Sequence, residues 1–453
     1  DAVMLLLSFS VRNHRSLRDE AVLDLTRPSF RTLRPREGET WQDQTYPVAA
    51  ILGANASGKS AIVDALWYAR SAIMASASGW LSQKTMPRDA FALDDSSMSA
   101  SSEFAFDFVL DEVRHQYRFE IDDEGVVGES LFDLPGARRR RLLLRDSTGM
   151  VKLHPDLGSI GPVAKRELVL SRALQLGRGG LEKIAGGLLG GVMVLPLGED
   201  HRRSTAKNLA EILLSPEGAG ESSREYVVSL LQMADIGIVD AGLDEEVLPP
   251  ELLEVQRHLN LAQQKLFGAG DLVKSEEDFP GFLDDVVRNL WFEHQGDGSR
   301  PGRLSLERES AGTVAWLALV VPAVVTLQQG GVLVVDEIDS SLHPHLVEML
   351  IGFFADEQKN PLRAQLICTT HDSYLISPQS SVKLEPEQIW LTEKGNDGAS
   401  ELYSLADFPR HKSANVAKRY LSGRYGGVPS LAPSFLGRVL DLDGEPSAVQ
   451  DAG

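Results

Sequence analysis

The residues best suited to chemistry form one glycine-rich segment. Residues 53–60 read Gly-Ala-Asn-Ala-Ser-Gly-Lys-Ser, which fills every position of the pattern G-x-x-x-x-G-K-S. An apolar run at 48–52 precedes the segment, and a run compatible with a helix at 61–66 follows it. A glycine turn between a buried strand and a helix N-terminus directs backbone N–H groups toward an anion. The segment therefore predicts a phosphate-binding loop (P-loop).

Two side chains of the P-loop have distinct expected roles. Lys59 is expected to reach the β- and γ-phosphates of ATP, and the Ser60 hydroxyl is expected to hold Mg²⁺. The other residues expected to contact the nucleotide are Gly53, Asn55, Ala56, Ser57, Gly58 and Ala61. ATP and Mg²⁺ are thus the expected ligands, and the alternative is a glycine turn that arose by chance.

Two acids end an apolar strand later in the chain. Residues 332–335 are all Val or Leu, and Asp336 and Glu337 follow them. The carboxyl end of a buried strand is where α/β sheets place their ligand sites. Asp336 suits the Mg²⁺ shell, and Glu337 suits a general base that orients the attacking water.

Two further segments offer contacts to a phosphate. His371 ends the next apolar strand, where it can hydrogen-bond the γ-phosphate or the water, or else be an ordinary surface histidine. Ser310 and Gly312 precede a helix that begins near residue 314. Ser310 can act as an N-cap, and Gly312 leaves the N–H groups of this helix open to an anion. Taken alone, each segment is compatible with a phosphate contact and with an ordinary structural role, a surface histidine or an N-cap.

The first part of the chain predicts strands around the P-loop. Residues 4–25 predict two short strands, and the helix after the P-loop is expected to end near Ala75. Residues 104–110 and 117–121 alternate apolar and polar side chains across a turn at 111–112, which predicts a hairpin. Antiparallel strands beside the P-loop strand indicate a mixed sheet in an α/β fold, with an antiparallel β-lobe.

The rest of the chain divides into three expected regions. Residues 146–300 are interpreted as a mainly helical insert, which separates the halves of the P-loop domain at 4–145 and 301–429. The tail, 430–453, is expected to be disordered. The helices expected in the insert span 168–176, 206–214, 224–234 and 251–267. After residue 303, helices and strands alternate, which is typical of a parallel α/β core.

Composition limits the classes of function. The 453 residues carry a formal net charge of −20, which argues against constitutive, non-specific binding of nucleic acid. Arg138–Arg141, followed by Arg145, is the only dense basic run; it is either a solvated loop or a contact to nucleic acid or an acidic partner. The single cysteine, Cys368, lies in an apolar run and fits the reducing cytoplasm. No uninterrupted run of 18 apolar residues exists, so no membrane span is expected.

The order of these motifs resembles a known family. P-loop, long insert, Ser-x-Gly segment, Asp-Glu strand and histidine strand follow one another as in the ABC-type ATPase heads of SMC-like proteins. The likeness is closer to the AAA-type ATPases of bacterial abortive-infection systems, the RloA/AbiL-like, OLD-related group. It spans Met4 to about Pro429. The motifs that carry it lie at 10–16, 53–60, 309–313, 336–344, 369–372 and 423–426.

The resemblance implies a dimer that ATP closes. Two heads would meet face to face around two ATP molecules, with Ser310 and Gly312 of one chain on the γ-phosphate held by Lys59 of the other. Residues 340–342 would lie at that interface, and hydrolysis would reopen a homodimer or higher oligomer. Members of this group commonly act in anti-phage defence with a separately encoded effector, a nuclease or toxin, so such a partner is expected here.

The sequence departs from the family pattern at three places. Ala311 stands where ABC transporters and SMC heads have glycine, and His14 stands where the group usually has phenylalanine. Gln83 and Gln116 are both poor candidates for the glutamine loop, so one contact to Mg²⁺ or water stays unassigned. The main alternative function is a DNA-maintenance ATPase of the SMC or RecF type that binds duplex DNA. A transporter ATPase is the least favoured alternative.

Overall fold

The computed structural model describes most of the chain. The described residues are 4–136, 138–177, 179–195, 205, 221–234, 237–247, 286–295, 302–408, 416–421 and 425. The helices expected at 206–214 and 251–267, and the tail at 430–453, lie outside the described residues. Every structural statement below concerns the described part of the chain.

A six-stranded sheet forms the centre of the fold, in the strand order β16-β15-β3-β14-β13-β9. Its strands are β3 (Val48–Gly53), β9 (Val192–Leu195), β13 (Val332–Val335), β14 (Gln365–Thr370), β15 (Ile389–Lys394) and β16 (Ser400–Ser404). Five strands run parallel, and β16 pairs antiparallel with β15. The three central strands are buried along their whole length, as expected for strands covered on both faces.

A second sheet is antiparallel throughout, in the order β2-β1-β4-β5-β6-β7-β8. Its strands are β1 (Leu5–Arg12), β2 (Ala21–Asp24), β4 (Ser102–Leu110), β5 (Val113–Ile121), β6 (Val126–Leu134), β7 (Arg140–Arg145) and β8 (Val151–Leu153). Asp111 and Glu112 join β4 to β5 with φ angles of 51° and 61°, as a tight hairpin turn of the primed type requires.

This arrangement confirms the α/β fold class with a mixed sheet and an antiparallel lobe, but it corrects the reason for the mixture. The predicted hairpin forms, yet it belongs to the seven-stranded sheet and not to the sheet of the P-loop strand. The central sheet is mixed because β16 returns antiparallel beside β15. Alternation within a strand reveals its pairing partner in a hairpin but not the sheet in which the hairpin lies.

The helices of the described residues pack on the central sheet and around it. They are α1 (Lys59–Gly79), α2 (Asp95–Ser99), α3 (Val169–Leu176), α4 (Gly180–Gly191), α5 (Glu221–Gln232), α6 (Ala311–Gln329), α7 (Pro344–Ala355) and α8 (Val416–Leu421). The helix after the P-loop thus runs four residues beyond the predicted end at Ala75.

Side chains of β3 alternate between two hydrophobic cores. Ala49 and Ile51 lie in a core with α1 and the antiparallel sheet. Val48, Ala50 and Leu52 lie in a second core with α6 and α7. Because successive side chains of a strand point to opposite faces, the central sheet is a middle layer between these two sets of elements.

Helix α6 is the one helix of the described residues that is long and apolar enough to cross a membrane. Most of its residues are buried in the second core, including Trp316 and Leu317 at 0% exposure. Its apolar character is therefore used for packing against the central sheet.

The single cysteine is a core residue. Cys368 lies on β14 and is fully buried, and this burial raises the pKa of its thiol to about 12. A thiol in this state is not a nucleophile at neutral pH, because the reactive species is the thiolate.

Residues 146–300 contain more strand than the sequence indicated. The described part includes β8 and β9, and β9 is an edge strand of the central sheet. It also includes β10 (Ile238–Val247) and β11 (Val286–His294), which form a three-stranded antiparallel sheet with β12 (Gly302–Ser305). The expected helices at 168–176 and 224–234 are present as α3 and α5. The strands were missed because their partners are distant in sequence, which local periodicity does not reveal.

Candidate nucleotide site

The predicted site residues meet at one edge of the central sheet. Strands β3, β13, β14 and β15 are parallel, so their carboxyl ends lie side by side. Leu52 pairs with Thr370, and Gly53 pairs with Thr392. Val335, the last residue before the acidic pair, pairs with Cys368. The P-loop, the acidic pair and the segment that ends at His371 therefore share the edge at which α/β sheets bind ligands.

The P-loop has the backbone that its glycines predict. A side chain at Gly53 would lie 2.3 Å from Thr392 Oγ1 and 2.4 Å from Ser57 Oγ, and these two hydroxyls are hydrogen-bonded at 2.6 Å. Gly58 has a φ of 111°, in the left-handed region that favours glycine. Asn55 and Ala56 are exposed at the tip of the loop. The loop is thus tightly anchored at both glycines and open at its tip.

Gly58→Ala is expected to weaken ATP binding by about tenfold or more. The added methyl group would meet Ser400 Oγ at 2.4 Å, and the positive φ would strain the loop directly before Lys59. Gly38→Ala is the matched control, because Gly38 also has a positive φ, 86°, but no neighbour within 4 Å. Isothermal titration of both variants with ATP checks the expectation. Equal affinities in the two variants would contradict it.

Lys59 is buried at the start of α1. Its ammonium donates hydrogen bonds to the carbonyl oxygens of Gly53 and Ala54, at 2.7 and 2.8 Å. Burial lowers the pKa of Lys59 from its ordinary value, and the nearby carboxylates of Asp336, Glu337 and Asp339 oppose that shift. The cation thus faces the acids of the sheet edge across the loop. Phosphate oxygens are stronger partners than these two carbonyls, because they carry charge.

Asp336 has the environment expected of a Mg²⁺ ligand. Its side chain is buried, and Oδ1 accepts a hydrogen bond from the Thr369 hydroxyl. Oδ2 is also buried but has no hydrogen-bond partner. Ser60 lies half-buried in the first turn of α1. An oxygen acceptor without a partner and a hydroxyl beside the phosphate loop fit Mg²⁺, which takes one or two protein oxygens and completes its shell with phosphate and water.

Glu337 differs from Asp336 in exposure. Its side chain is exposed, so it faces the solvent from which the attacking water would come. Its φ is 49°, an unusual conformation for glutamate, and its N–H donates to Thr369 Oγ1 at 2.7 Å. The Thr369 hydroxyl thus donates to the Asp336 carboxylate and accepts the backbone N–H of Glu337. Thr369 lies in the Thr-Thr-His-Asp segment, and this position was the available sequence signal for it. The sequence alone did not assign this role to Thr369.

Thr369→Val is expected to lower kcat by about 10- to 100-fold, as loss of a group that orients a metal ligand does. Valine keeps the volume and removes the hydroxyl that holds Asp336 and the backbone of Glu337. Thr369→Ser restores the hydroxyl and should restore most of kcat. Thr326→Val is the matched control, because Thr326 is a buried threonine whose hydroxyl donates to the carbonyl of Pro322 on its own helix. Steady-state ATPase kinetics would contradict the role if Thr369→Val and Thr326→Val behaved alike.

His371 lies next to the acidic loop. Its Nε2 is 3.2 Å from Oδ2 of Asp339, a carboxylate only 8% exposed, whereas His371 is 52% exposed. The N–H of Ile338 donates to the Thr369 carbonyl, which joins the same two chain segments. The structure thus brings His371 to the edge that carries Asp336 and Glu337, and its contact with the γ-phosphate stays a prediction.

The Ser-x-Gly segment caps α6. The Ser310 hydroxyl accepts the N–H of Thr313 at 3.0 Å, which is the ordinary N-cap bond considered as its alternative role. A side chain at Gly312 would lie 3.2 Å from the carbonyl oxygen of Ser341, so this turn packs on the loop that follows Glu337. Ser310 and Ala311 are exposed. The positive end of α6 is therefore presented at the surface, where a second molecule can reach it.

The basic run is largely occupied by contacts within the protein. Arg139 lies over the ring of Phe132 at 3.6 Å, and Arg140 bonds both carboxylate oxygens of Asp133. Arg145 is buried and donates to the carbonyl of Glu167 at 2.6 Å, so it is not part of a surface patch. All four arginines at 138–141 are exposed, so Arg139 and Arg140 make these contacts at the surface.

Neither glutamine candidate gains support as the missing contact. Gln116 donates to Asp107 at 3.0 Å within the antiparallel sheet, and the Gln83 carbonyl accepts a bond from Arg166. The glutamine-loop residue therefore stays unassigned.

Comparison with known protein families assigns the chain. A family model described as "AAA domain, putative AbiEii toxin, Type IV TA system" matches residues 48–149 and 194–377, more than half of the chain. The chain belongs to this family. The two matched segments of this AAA-domain protein contain the P-loop, the Ser-x-Gly segment, the acidic pair and His371. No curated protein matches the chain.

Solved structures that resemble this AAA-domain protein include three Smc heads. An Smc head bound to the C-terminal winged-helix domain of ScpA has 12% identity and a TM-score of 0.40, over 92% of this chain and 99% of that one. The Smc head of Pyrococcus furiosus with an extended coiled coil, bound to the C-terminal domain of ScpA, has 12% identity and 0.37, over 98% and 100%. The Smc head of Pyrococcus yayanosii with a coiled coil and joint has 11% and 0.37, over 93% and 99%.

Proposed function

We propose that this AAA-domain protein binds ATP with Mg²⁺ and hydrolyses it to ADP and phosphate. The observation that carries the proposal is the convergence of Lys59, Asp336 and Glu337 at one sheet edge, with one oxygen of Asp336 buried and without a partner. A cation for the phosphates, a ligand for the metal and a base for the water are the parts that phosphoryl transfer requires.

The residues divide the work of hydrolysis. Lys59 exchanges its carbonyl partners for β- and γ-phosphate oxygens, and the N–H groups of the P-loop neutralise further charge. Ser60 and Asp336 would hold Mg²⁺, which would supply neutralisation of phosphate charge when bound. The Glu337 carboxylate accepts a hydrogen bond from the attacking water and takes its proton. His371 donates a hydrogen bond to the transferring phosphoryl group.

We further propose that two copies close around two ATP molecules. The site edge of one chain supplies Lys59, Asp336 and Glu337, and the exposed N-terminus of α6 in the second chain supplies Ser310 and Gly312. This arrangement gives the surface position of the α6 N-terminus a purpose, because a helix N-terminus binds anions. Hydrolysis removes the shared γ-phosphate and lets the copies separate.

The biological role that we propose is that of sensor and regulator in anti-phage defence. It would work in the cytoplasm with a separately encoded effector, a nuclease or toxin. The motif order of the RloA/AbiL-like, OLD-related group and the description of the matched family support this role. Duplex-DNA maintenance is less favoured, because the net charge is −20 and the arginines of the basic run largely contact the protein itself.

Two measurements test these proposals. Release of phosphate from ATP by the purified chain, dependent on Mg²⁺, tests the reaction, and its absence at high protein concentration would contradict it. A pull-down of tagged Glu337→Gln chain from its native host with ATP and Mg²⁺ tests the role. Recovery of a small nuclease-like or toxin-like protein encoded nearby would support defence. Recovery of DNA with repair or replication proteins would instead support a function in DNA maintenance.

A further inference from the structure

A buried acid directly precedes the cap of α6. The side chain of Glu309 is 3% exposed, and the next residue is Ser310. A carboxylate removed from water is strongly destabilising unless it is paired and hydrogen-bonded. The partner of Glu309 therefore sets the position of the backbone at Glu309 and Ser310.

That partner comes from the three-stranded sheet. His294 Nε2 lies 2.7 Å from Glu309 Oε1. His294 is the last residue of β11 and pairs with Gly302 at the start of β12. From β12 the chain passes through one short turn, Leu306–Arg308, to Glu309. The contact thus closes a small loop of chain between the sheet and the beginning of α6.

A second contact fixes the same sheet to α6. The Trp316 indole N–H on α6 donates to the carbonyl of Leu230 on α5 at 2.8 Å, and Gln232 of α5 donates to the carbonyl of Ile238 on β10. Helix α6 is therefore tied to this region at its N-terminus and within its second turn. Of these two attachments, the pair of His294 and Glu309 is the one nearer to the first residue of α6.

We propose that His294 is a positioning residue that acts through Glu309. It sets the orientation of Ser310 and of the N-terminus of α6, so that they meet a nucleotide held by a second copy of the chain. This inference rests on the proposed closure of two copies by ATP. A displacement of the β10–β12 sheet would consequently change the affinity between copies without a change at the P-loop of the same chain.

The test compares variants in a Glu337→Gln parent, which is expected to form stable ATP-bound dimers. His294→Met keeps the volume of the side chain and removes its N–H donor, whereas His294→Gln retains a donor at a similar reach. Arg303→Ala is the matched control, because Arg303 pairs with Glu293 between β11 and β12 of the same sheet without contact to Glu309. Light scattering with ATP and Mg²⁺ gives the dimer dissociation constant, and a fluorescent ATP analogue gives nucleotide affinity at monomer concentrations.

His294→Met is expected to raise the dimer dissociation constant about tenfold or more, while nucleotide affinity of the monomer changes less than about twofold. His294→Gln and Arg303→Ala should stay close to the parent. Equal dimerisation by parent and His294→Met would overturn the positioning role, as would an equal loss in Arg303→Ala. A parent that binds ATP but never dimerises would overturn closure of the copies itself, and with it this inference. Melting temperatures distinguish these outcomes from unfolding of a variant. Glu309→Gln tests the same contact from its other partner, because glutamine keeps the shape of the glutamate side chain.

Discussion

Lys59→Ala is expected to abolish nucleotide binding. The ammonium makes two hydrogen bonds, to Gly53 and Ala54, and lies beside the carboxylates of Asp336, Glu337 and Asp339. In the variant, bound phosphates would face these acids without a neighbouring cation. The loss of two charge-assisted hydrogen bonds, each worth about 1.5–3 kcal/mol, corresponds to a fall in affinity of at least about 100-fold. Titration of the purified variant with ATP and Mg²⁺ measures the effect.

The control for this variant is another lysine bound to carbonyl groups. Lys383 donates to the carbonyls of Pro378 and Ser380, away from the sheet edge that carries the P-loop. Lys383→Ala should bind ATP as the parent does, which shows that removal of a lysine cation alone has no effect. Normal ATP affinity in Lys59→Ala would contradict the P-loop assignment, even if the variant had lost its activity.

Glu337→Gln is expected to bind ATP normally but to hydrolyse it slowly. Glutamine keeps the shape of the side chain and cannot accept the proton of the attacking water. General-base catalysis contributes about 10²- to 10⁴-fold, and kcat should fall by a factor in this range. Because Asp336, Ser60 and Lys59 are unchanged, the ATP-bound state persists and closed dimers should accumulate. Single-turnover hydrolysis and light scattering measure both consequences.

Glu357→Gln provides the comparison for this substitution. Glu357 is an exposed acid that pairs with Arg363, outside the sheet edge, so its neutral analogue should keep parental turnover. Parental turnover in Glu337→Gln as well would show that another residue is the base. A loss of ATP binding in Glu337→Gln would instead show that Glu337 supports the ground state and not the proton transfer.

The elements that carry the site were predictable because their signals are local. Gly58 precedes a helix and has the positive φ that glycine tolerates. Asp336 follows four consecutive apolar residues, a pattern typical of a strand that is covered on both faces. The spacing of such residues within a few positions determines the loop, the strand and the helix that begins after them. The convergence of β3, β13 and β14 then follows, because parallel strands place their carboxyl ends at one edge.

Other assignments depended on contacts between segments that are distant in the chain. The antiparallel hairpin was predicted, yet only the pairing of β4 with β1, about 90 positions away, places it in the seven-stranded sheet. The strands β10 and β11 pair across residues 248–285, and no periodicity in either one names the other. Ser310 has the same sequence signature as an ordinary N-cap and as a phosphate contact, so its type could not decide between the two roles.

The sequence by itself predicted the ligand class and the residues expected to hold it: Lys59 and Ser60 in the loop, with Asp336 and Glu337 after the apolar strand. Only the tertiary structure decided how these residues are held. One Thr369 hydroxyl bonds the Asp336 carboxylate and the backbone N–H of Glu337, from 33 and 32 positions away. His294 contacts Glu309, the acid before Ser310, from 15 positions away. The physical reason is that motif chemistry depends on spacing along the backbone, whereas a hydrogen bond depends on distance in space. That distance is set only when the two cores pack.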